Sequence, residues 1–301
     1  MINFEDVRKF CVTELSLNVP EGEITGLIGR SGAGKTTLIK LACGALAPDS
    51  GRVFTLGRDP VRYRGKYGAD ISVSIAGVPL LDSESTVRSG FGLIAAMYGI
   101  GSAEYAARYA ELSERLGFAE FADTRARDRS LGQRMRAELG AALIYAPKLL
   151  ILDEPDLGLD ADARAALRDI LKQRAADGMT VLLSSHDMMG AAALCTRLAI
   201  LDSGRLVFCG SPGSLQSRFM PINTMTVKFR GDIPVPDDLP VRRFTVSGDT
   251  AVFEYNSRHI TAAEITALIM KRTEIAEISI HKPSLEDIIM RIGDNNEYYR
   301  S

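Results

Sequence analysis

The segment 29–36, Gly-Arg-Ser-Gly-Ala-Gly-Lys-Thr, constrains this chain most, because it fits the pattern Gly-x-x-x-x-Gly-Lys-[Ser/Thr]. The apolar run 23–28 before it predicts a buried strand, and residues 37–42 after it predict a helix. Between a strand and a helix, glycines let backbone N–H groups wrap around nucleotide phosphates. The alternative is a flexible glycine turn, which would need neither the strand nor the helix. We expect Lys35 to reach the β- and γ-phosphates and the Thr36 hydroxyl to bind Mg²⁺. The residues predicted to bind nucleotide here are Gly29, Arg30, Ser31, Gly32, Ala33, Gly34, Lys35, Thr36 and Thr37.

Two adjacent carboxylates, Asp153 and Glu154, follow the apolar run 148–152. The run predicts a buried parallel strand, which would present both side chains at its carboxyl end. Asp153 is then a candidate ligand of Mg²⁺, directly or through water, and Glu154 a candidate base for the water that attacks the γ-phosphate of ATP. The alternative is a solvated turn at the start of a helix, and the phosphate-binding loop upstream favours the catalytic pair over it.

A third segment, Ser130-Leu131-Gly132-Gln133, lies shortly before that strand and is followed by the helical stretch 137–145. Here the sequence resembles the ATP-binding subunit of ABC transporters, whose signature is Leu-Ser-Gly-Gly-Gln. Arg129 stands in place of the usual leucine and Leu131 in place of the first glycine. The resemblance covers roughly residues 1–215 and is greatest to subunits of ABC-2-type exporters. It implies an α/β P-loop NTPase fold with a RecA-like core, an N-terminal antiparallel β subdomain and a helical subdomain.

The resemblance also implies roles that the residues alone do not reveal. In the family, the signature segment of one subunit binds the γ-phosphate held by the P-loop of the other, so that two subunits enclose two ATP molecules. Ser130, Gly132 and Gln133 are therefore expected to bind nucleotide. The chain is expected to form a homodimer, or a heterodimer with another ABC ATPase. Asp160, in the segment 157–160, would organise contacts across that dimer.

His186 follows the apolar strand 181–185 and stands where the family has a switch histidine that contacts the γ-phosphate and the attacking water. A lone histidine after a strand is more often structural, but the helix pattern that follows favours the catalytic interpretation. Phe10 is the candidate for stacking on adenine. Phe4 is close enough to compete, and packing in the core is the alternative for an aromatic residue near the N-terminus.

One residue that the family leads us to expect is missing. The family has a glutamine after the strand near 71–75 that contacts Mg²⁺ and relays closure to the membrane subunit, but this chain has no glutamine before Gln133. Ser74 is the side chain that could supply an oxygen there. Asp156 likewise replaces the threonine that usually follows Asp-Glu-Pro. The missing glutamine leaves the phosphate cradle complete, but it raises the alternative of a nucleotide-gated regulatory subunit with weak or no ATPase activity.

The sequence predicts two domains. Residues 1–219 would form the ATP-binding domain, with the helical subdomain at about 84–145, and residues 220–301 a small α+β accessory domain with a polar tail. An apolar stripe in the subdomain has helical spacing, which indicates core more often than a binding face; it comprises Tyr105, Tyr109, Leu112 and Leu116. The elements predicted for the accessory domain are strands at 224–229, 250–255 and 277–280, a helix at 261–271, and a final helix from Ser284.

Composition excludes several other classes of protein. A formal charge of −2 with scattered Lys and Arg gives no basic surface for nucleic acid. The apolar stretch 91–100 is too short to cross a bilayer, and the N-terminus lacks the pattern of a signal peptide. We therefore expect a cytoplasmic protein, held on the inner face of the plasma membrane by a separate ABC-2-type permease. The four cysteines show no Cys-x-x-Cys spacing, so we expect reduced, mostly packed thiols rather than a zinc site.

These expectations combine into one predicted function, ATP binding and hydrolysis that power an ABC-2-type exporter. ABC ATPases of DNA repair or translation would carry long coiled-coil arms or a second P-loop in the same chain, and the sequence contains neither. The sequence does not identify the transported molecule, because substrate contacts in this family lie in the membrane subunit.

Overall fold

A computed structural model describes residues 1–75, 77–219, 222–230 and 239–281 of the 301-residue chain. The chain forms two compact units, Met1–Ser211 and Pro212–Ser301. The domain boundary expected between residues 219 and 220 stays a prediction. The final helix expected from Ser284 lies outside the described residues.

Strands and helices alternate along most of the first unit. Its strands are β1 (Ile2–Lys9), β2 (Val12–Val19), β3 (Ile24–Ile28), β4 (Ser50–Thr55), β5 (Ile71–Ser74), β6 (Leu149–Asp153), β7 (Thr180–Ser185), β8 (Arg197–Asp202) and β9 (Arg205–Gly210). Its helices are α1 (Lys35–Ala42), α2 (Pro60–Tyr63), α3 (Val87–Met97), α4 (Ser102–Arg115), α5 (Leu131–Leu143), α6 (Ala161–Ala176) and α7 (Met188–Leu194). The strand and helix expected on either side of the phosphate-binding loop are confirmed as β3 and α1, and the strand before Glu154 as β6.

A central sheet with the strand order β5-β6-β7-β3-β8-β9 organises this unit. Its first five strands are parallel, and β9 pairs antiparallel with β8. Strands β3 and β6 are buried at every position, which explains why their sequences are mostly apolar, since a parallel sheet is covered on both faces. Because β6, β7 and β3 are neighbours, the three segments that follow them begin side by side at one edge of the sheet.

Strands β2, β1 and β4 form a separate antiparallel sheet, as expected for an N-terminal β subdomain. Phe4 and Val7 of β1 belong to the same hydrophobic core as Leu38 of α1. This sheet therefore packs with the helix that follows the phosphate-binding loop. A tight turn at Phe10 and Cys11 joins β1 to β2.

An aromatic cluster holds the helical region together. Phe91 of α3 stacks on Phe118 with ring centroids 5.0 Å apart, and Tyr109 of α4 meets both rings edge-on. Gly140 of α5 lies against the cluster, where a Cβ atom would come within 2.7 Å of the Phe118 ring. Leu112 of α4 is fully buried, so the interpretation of the α4 stripe as core is confirmed.

The second unit is built on an antiparallel sheet with the order β11-β12-β10-β13. Its elements are α8 (Pro212–Phe219), β10 (Ile222–Arg230), β11 (Arg243–Ser247), β12 (Thr250–Asn256), α9 (Ala262–Met270) and β13 (Glu274–His281). Ile265 and Ile269 of α9 are buried in a core with Met225 and Phe253 of the sheet. The three strands and the helix expected here are confirmed, whereas β11 was not expected.

The expectation that most cysteines are packed is wrong. Cys195 is buried and Cys43 half-buried, but Cys11 and Cys209 are exposed. Burial raises the pKa of the Cys195 thiol to about 12, which makes it a poor nucleophile. The two exposed thiols lie in the β1–β2 turn and on the edge strand β9, where the apolar residues beside them in the sequence made them resemble core positions.

Candidate functional site

The phosphate-binding loop connects β3 to α1 and depends on two of its glycines. A side chain at Gly29 would collide with the carbonyl oxygen of Leu201. Gly34, the residue before α1, has φ +103°, and a Cβ atom there would lie 2.9 Å from Val12 Cγ2. Arg30, Ser31 and Gly32 are exposed on the outer side of the loop. At these two glycines the loop packs so closely against its neighbours that there is no room for a side chain, and the outer side of the loop is open to a ligand.

Lys35 begins α1 and is only 6% exposed. Its ammonium donates hydrogen bonds to the carbonyl oxygens of Gly29, at 2.8 Å, and of Arg30, at 3.2 Å. These bonds hold the charge over the loop itself. A phosphate placed in the loop would thus meet the Lys35 ammonium together with the first N–H groups of α1, which have no partner within the helix.

Thr36 and Asp153 lie in direct contact. The Thr36 hydroxyl donates to the Asp153 carboxylate, with distances of 3.0 Å to Oδ2 and 3.2 Å to Oδ1. Asp153 also accepts a hydrogen bond of 2.6 Å from the Ser184 hydroxyl of β7. Hydroxyl and carboxylate oxygens are the donors that Mg²⁺ takes from proteins, and here two of them face each other beside the phosphate-binding loop. The residues present therefore fit a Mg²⁺ ion.

Glu154 and His186 meet at the ends of β6 and β7. His186 Nδ1 lies 3.7 Å from Glu154 Oε2, with the imidazole exposed and the carboxylate half-buried. The Glu154 N–H donates to Ser184 Oγ at 2.9 Å, which anchors the turn. Glu154 has φ +51°, in the left-handed region that few residues other than glycine adopt. This backbone conformation turns the chain sharply at the end of β6.

The signature segment forms a second group of site residues at the start of α5. Ser130 caps the helix: its hydroxyl accepts from Gln133 N–H at 3.2 Å, and Gln133 Oε1 accepts from Ser130 N–H at 3.2 Å. Gly132 approaches the neighbouring loop so closely that a Cβ atom would lie 2.6 Å from the Gly158 carbonyl oxygen. A residue other than glycine at 132 would push this helix start away from the loop.

Asp160 joins this group through α6, whose N-terminus it caps. Its carboxylate accepts from Ala163 N–H at 2.8 Å and forms an ion pair with Arg136 of α5. The Ala163 N–H and the Arg136 guanidinium hold the pKa of Asp160 below its usual value. The ion pair therefore links α5, which begins at the signature segment, to the loop before α6 within one chain.

Phe10 lies at the tip of the β1–β2 turn and is 72% exposed, with the Lys9 ammonium 5.1 Å from its ring centroid. The turn lies beside the phosphate-binding loop, because a Cβ atom at Gly34 would be 3.5 Å from Sγ of Cys11 in the turn. Phe4 is buried in the core, so it offers no free ring face. Of the two phenylalanines, only Phe10 has a ring that is open to solvent near the loop.

The segment that lacks a glutamine follows β5. Leu80 and Leu81, beyond it, donate their backbone N–H groups to the Glu138 carboxylate of α5, at 2.7 and 3.2 Å. Burial raises the pKa of Glu138 despite these two bonds. These hydrogen bonds connect the segment to α5, the helix that begins at the signature segment, and the sequence did not indicate this connection. Nothing in these contacts assigns a role to Ser74.

Among the described residues, no helix combines the length and the apolar character needed to span a bilayer.

Comparison with known proteins gives a consistent result. Residues 12–157 match the family model described as ABC transporter. The chain is 31% identical to Nod factor export ATP-binding protein I of Paraburkholderia xenovorans (strain LB400), over 97% of this chain and 96% of that protein. It is 30% identical to linearmycin resistance ATP-binding protein LnrL of Bacillus subtilis (strain 168), over 95% of this chain and 94% of that protein.

Solved structures agree on the fold. An ATP-binding subunit of an ABC transporter is 28% identical and superposes with a TM-score of 0.67, over 73% of this chain and 93% of that one. A dimeric ATP-binding cassette bound to ADP and phosphate superposes with a TM-score of 0.61, over 70% and 99% of the two chains. At 22% identity, the second likeness concerns the fold alone.

Proposed function

Because this chain belongs to the ABC transporter family, whose ATP-binding subunits hydrolyse ATP, we propose that two such subunits close around two MgATP and power export through a separate membrane protein. The observation that carries the proposal is the cluster of Lys35, Thr36, Asp153, Glu154 and His186 at one edge of the central sheet. A cation, ligands for Mg²⁺ and a residue that positions the attacking water recur in sites of phosphoryl transfer, and the cluster contains candidates for each, with the His186 imidazole beside Glu154.

Binding of ATP would use the loop and the start of α1. The Lys35 ammonium would leave its two carbonyl partners, or share its three protons with them, to contact the β- and γ-phosphates. Thr36 and Asp153 would hold Mg²⁺, which when bound neutralises developing charge on the phosphates. Phe10 would stack on the adenine from the β1–β2 turn.

Hydrolysis would use the second pair of side chains. Glu154 would accept a proton from the attacking water, since a half-buried carboxylate beside a phosphate site is a suitable general base. His186, whose imidazole is within 4 Å of Glu154, would orient that water and contact the γ-phosphate. The hydrogen bond from the Glu154 N–H to Ser184 would hold the backbone of the base in place.

Support for a site shared by two subunits comes from the surface around the signature segment. Leu131 is 51% exposed, and Leu157 on the neighbouring loop is 44% exposed. These apolar side chains flank the N-terminus of α5, where unpaired N–H groups and the helix dipole favour an anion. A second copy, or another ABC ATPase, would cover them and bring Ser130, Gly132 and Gln133 to the phosphate on its own P-loop, with Asp160 beside the contact.

The direction of transport is proposed from the relatives. Two of them are described as export and resistance ATP-binding proteins, and each matches this chain over nearly its whole length. We therefore propose that the chain serves an exporter. The resemblance of its sequence to subunits of ABC-2-type exporters favours that type, with the chain peripheral to the inner face of the membrane through its permease. A regulatory subunit with weak hydrolysis is the alternative, favoured by the missing glutamine.

The experiment that separates these functions measures ATP hydrolysis by the purified chain over a wide range of protein concentration, alongside sedimentation with and without MgATP. We expect the rate per subunit to rise with concentration, because hydrolysis requires association, and ATP to promote the dimer. A rate per subunit that is independent of concentration would contradict the shared site. ATP binding without measurable hydrolysis would favour the regulatory subunit.

Ser184→Ala tests the anchor between the two strand ends. Removal of the hydroxyl leaves the Glu154 N–H without its acceptor and takes from Asp153 one of its two hydroxyl donors, the other being Thr36. We expect the free energy of unfolding to fall by about 1–3 kcal/mol, the usual result of orphaning a buried polar group. We also expect a higher Mg²⁺ requirement for hydrolysis, measured by titration of the rate with MgCl₂.

Ser72→Ala is the matched control, because it removes an equally buried hydroxyl from β5, on the other side of β6. It should leave the Mg²⁺ titration unchanged. An unaltered titration in Ser184→Ala as well would mean that Ser184 does not position Asp153.

A further inference from the structure

Two consecutive serines, Ser184 and Ser185, end β7, and both are buried. Consecutive strand residues face opposite sides of a sheet, so their hydroxyls reach different partners. Ser184 bonds to the Asp153–Glu154 turn, as described above. The Ser185 hydroxyl has two acceptors within reach of its proton, Asp156 Oδ2 at 3.3 Å and the Asp187 carbonyl oxygen at 3.4 Å, and it accepts from the Asp187 N–H at 3.0 Å. Ser185 therefore spans the gap from the turn after β6 to the loop that carries His186.

Hydrogen bonds hold both residues that flank His186. Ser185 accepts from the Asp187 N–H, and Asp187 caps α7 by accepting from Gly190 N–H at 2.9 Å. Asp187 also pairs with Arg168 of α6, at 3.6 Å. His186 Nδ1 lies 3.7 Å from Glu154, which is longer than a hydrogen bond. The position of the imidazole is thus set by its backbone rather than by a bond to Glu154.

Asp156 has an unusual environment for a carboxylate. Its Oδ2 bonds to Ser185, but its Oδ1 is buried and finds no hydrogen-bond partner among the described residues. A buried carboxylate oxygen without a hydrogen bond lowers the stability of the fold. Where a protein retains such an oxygen, a functional role of the side chain is one explanation. The bond to Ser185 is the contact that Asp156 makes toward the site.

We propose that Asp156 and Ser185 form a strut, a pair of positioning residues that fixes His186 opposite Glu154. The proposal rests on the proposed ATP hydrolysis, because positioning has its effect on that reaction. Asp156 acts through its bond to Ser185, and Ser185 acts through its bond to the Asp187 N–H. Neither residue is among those predicted to bind the nucleotide. Their removal should therefore affect the rate of hydrolysis and not the affinity for ATP.

The first test does not depend on hydrolysis. Amide hydrogen exchange of the full chain without nucleotide is measured for peptides that cover 185–190. Ser185→Ala and Asp156→Ala should each speed exchange there by about tenfold, since opening of a loop is governed by the bonds that hold it. Peptides from the second unit should be unaffected. Asp156→Asn keeps an acceptor oxygen for Ser185 and should exchange like the wild type.

The second test measures steady-state hydrolysis together with the affinity for a fluorescent ATP analogue. We expect kcat to fall about tenfold in Asp156→Ala and in Ser185→Ala, with affinity within about twofold of wild type. Because the two residues act through one bond, the double variant should be no slower than the slower single variant. Asp156→Asn should restore most of the rate. Asp162→Ala, an exposed residue in the first turn of α6, is the matched control.

The two tests have distinct outcomes. Faster exchange with coupled losses in kcat supports the strut. Wild-type exchange in both alanine variants overturns it, as does a double variant in which the two losses multiply or a loss that lies entirely in ATP affinity. If the wild type itself hydrolyses no ATP, the proposed function fails, and hydrogen exchange still decides whether the strut holds the loop.

Discussion

Glu154→Gln should lower the turnover number for ATP by about 10²–10⁴-fold, the contribution typical of a positioned general base. Glutamine has the same shape but cannot accept a proton from water at neutral pH. The backbone bond from Glu154 N–H to Ser184 does not involve the side chain, so the turn after β6 should persist. Phosphate release at saturating MgATP measures the loss, and titration with a fluorescent analogue should show ATP affinity within about threefold of wild type.

Glu114→Gln provides the matched control, because it makes the same substitution at an exposed position of α4. It should turn over at the wild-type rate. If hydrolysis is what reopens the closed dimer, Glu154→Gln should also accumulate dimer in MgATP, which sedimentation would detect. Residual turnover above about a tenth of wild type would exclude Glu154 as the base and point to His186 instead.

The second large effect is expected in binding. Lys35→Ala should weaken ATP binding by about 10²-fold, since hydrogen bonds to charged groups contribute about 1.5–3 kcal/mol and each 1.4 kcal/mol is a factor of ten. Lys35 is the buried cation that the loop encloses, with its ammonium bonded to Gly29 and Arg30 carbonyls. Equilibrium titration with a fluorescent ATP analogue measures the change directly.

Two further variants make this result specific. Lys172→Ala removes an exposed lysine from α6 and should bind ATP like the wild type. Lys35→Arg keeps the charge but places a planar, larger guanidinium where a compact ammonium is enclosed, so it should rescue little of the affinity. Unchanged affinity in Lys35→Ala would mean that the nucleotide does not occupy the loop between β3 and α1.

Much of the fold was predictable because its defining signals are local. The phosphate-binding loop lies between a strand and a helix in sequence, and β3 and α1 occupy those positions. Strands buried on both faces are mostly apolar, as β6 is up to its last residue, Asp153, and they can therefore be recognised in the sequence. The predicted α/β P-loop fold of the ABC type is confirmed by the ATP-binding subunit that superposes with a TM-score of 0.67.

What the sequence did not reveal depends on contacts between distant residues. Ser185 and Asp156 are 29 positions apart and meet because β6 and β7 are neighbours in the sheet, an order that no local pattern encodes. The bond of Glu138 to Leu80 likewise spans 58 positions. Strand β11 was missed although Phe244 and Val246 alternate with polar residues along it; the pattern covers only five residues, and all five are exposed.

The backbone of Glu154 has a consequence for engineering this chain. With φ +51°, the residue occupies a conformation that glycine would adopt without strain, at a penalty of about 1 kcal/mol or more for any larger side chain. Glycine at 154 would relieve this strain but lose more backbone entropy on folding, so the two contributions to the free energy of unfolding oppose each other. A substitution that removes the proposed base can therefore leave the fold intact, and a screen for stable variants needs activity as a second criterion.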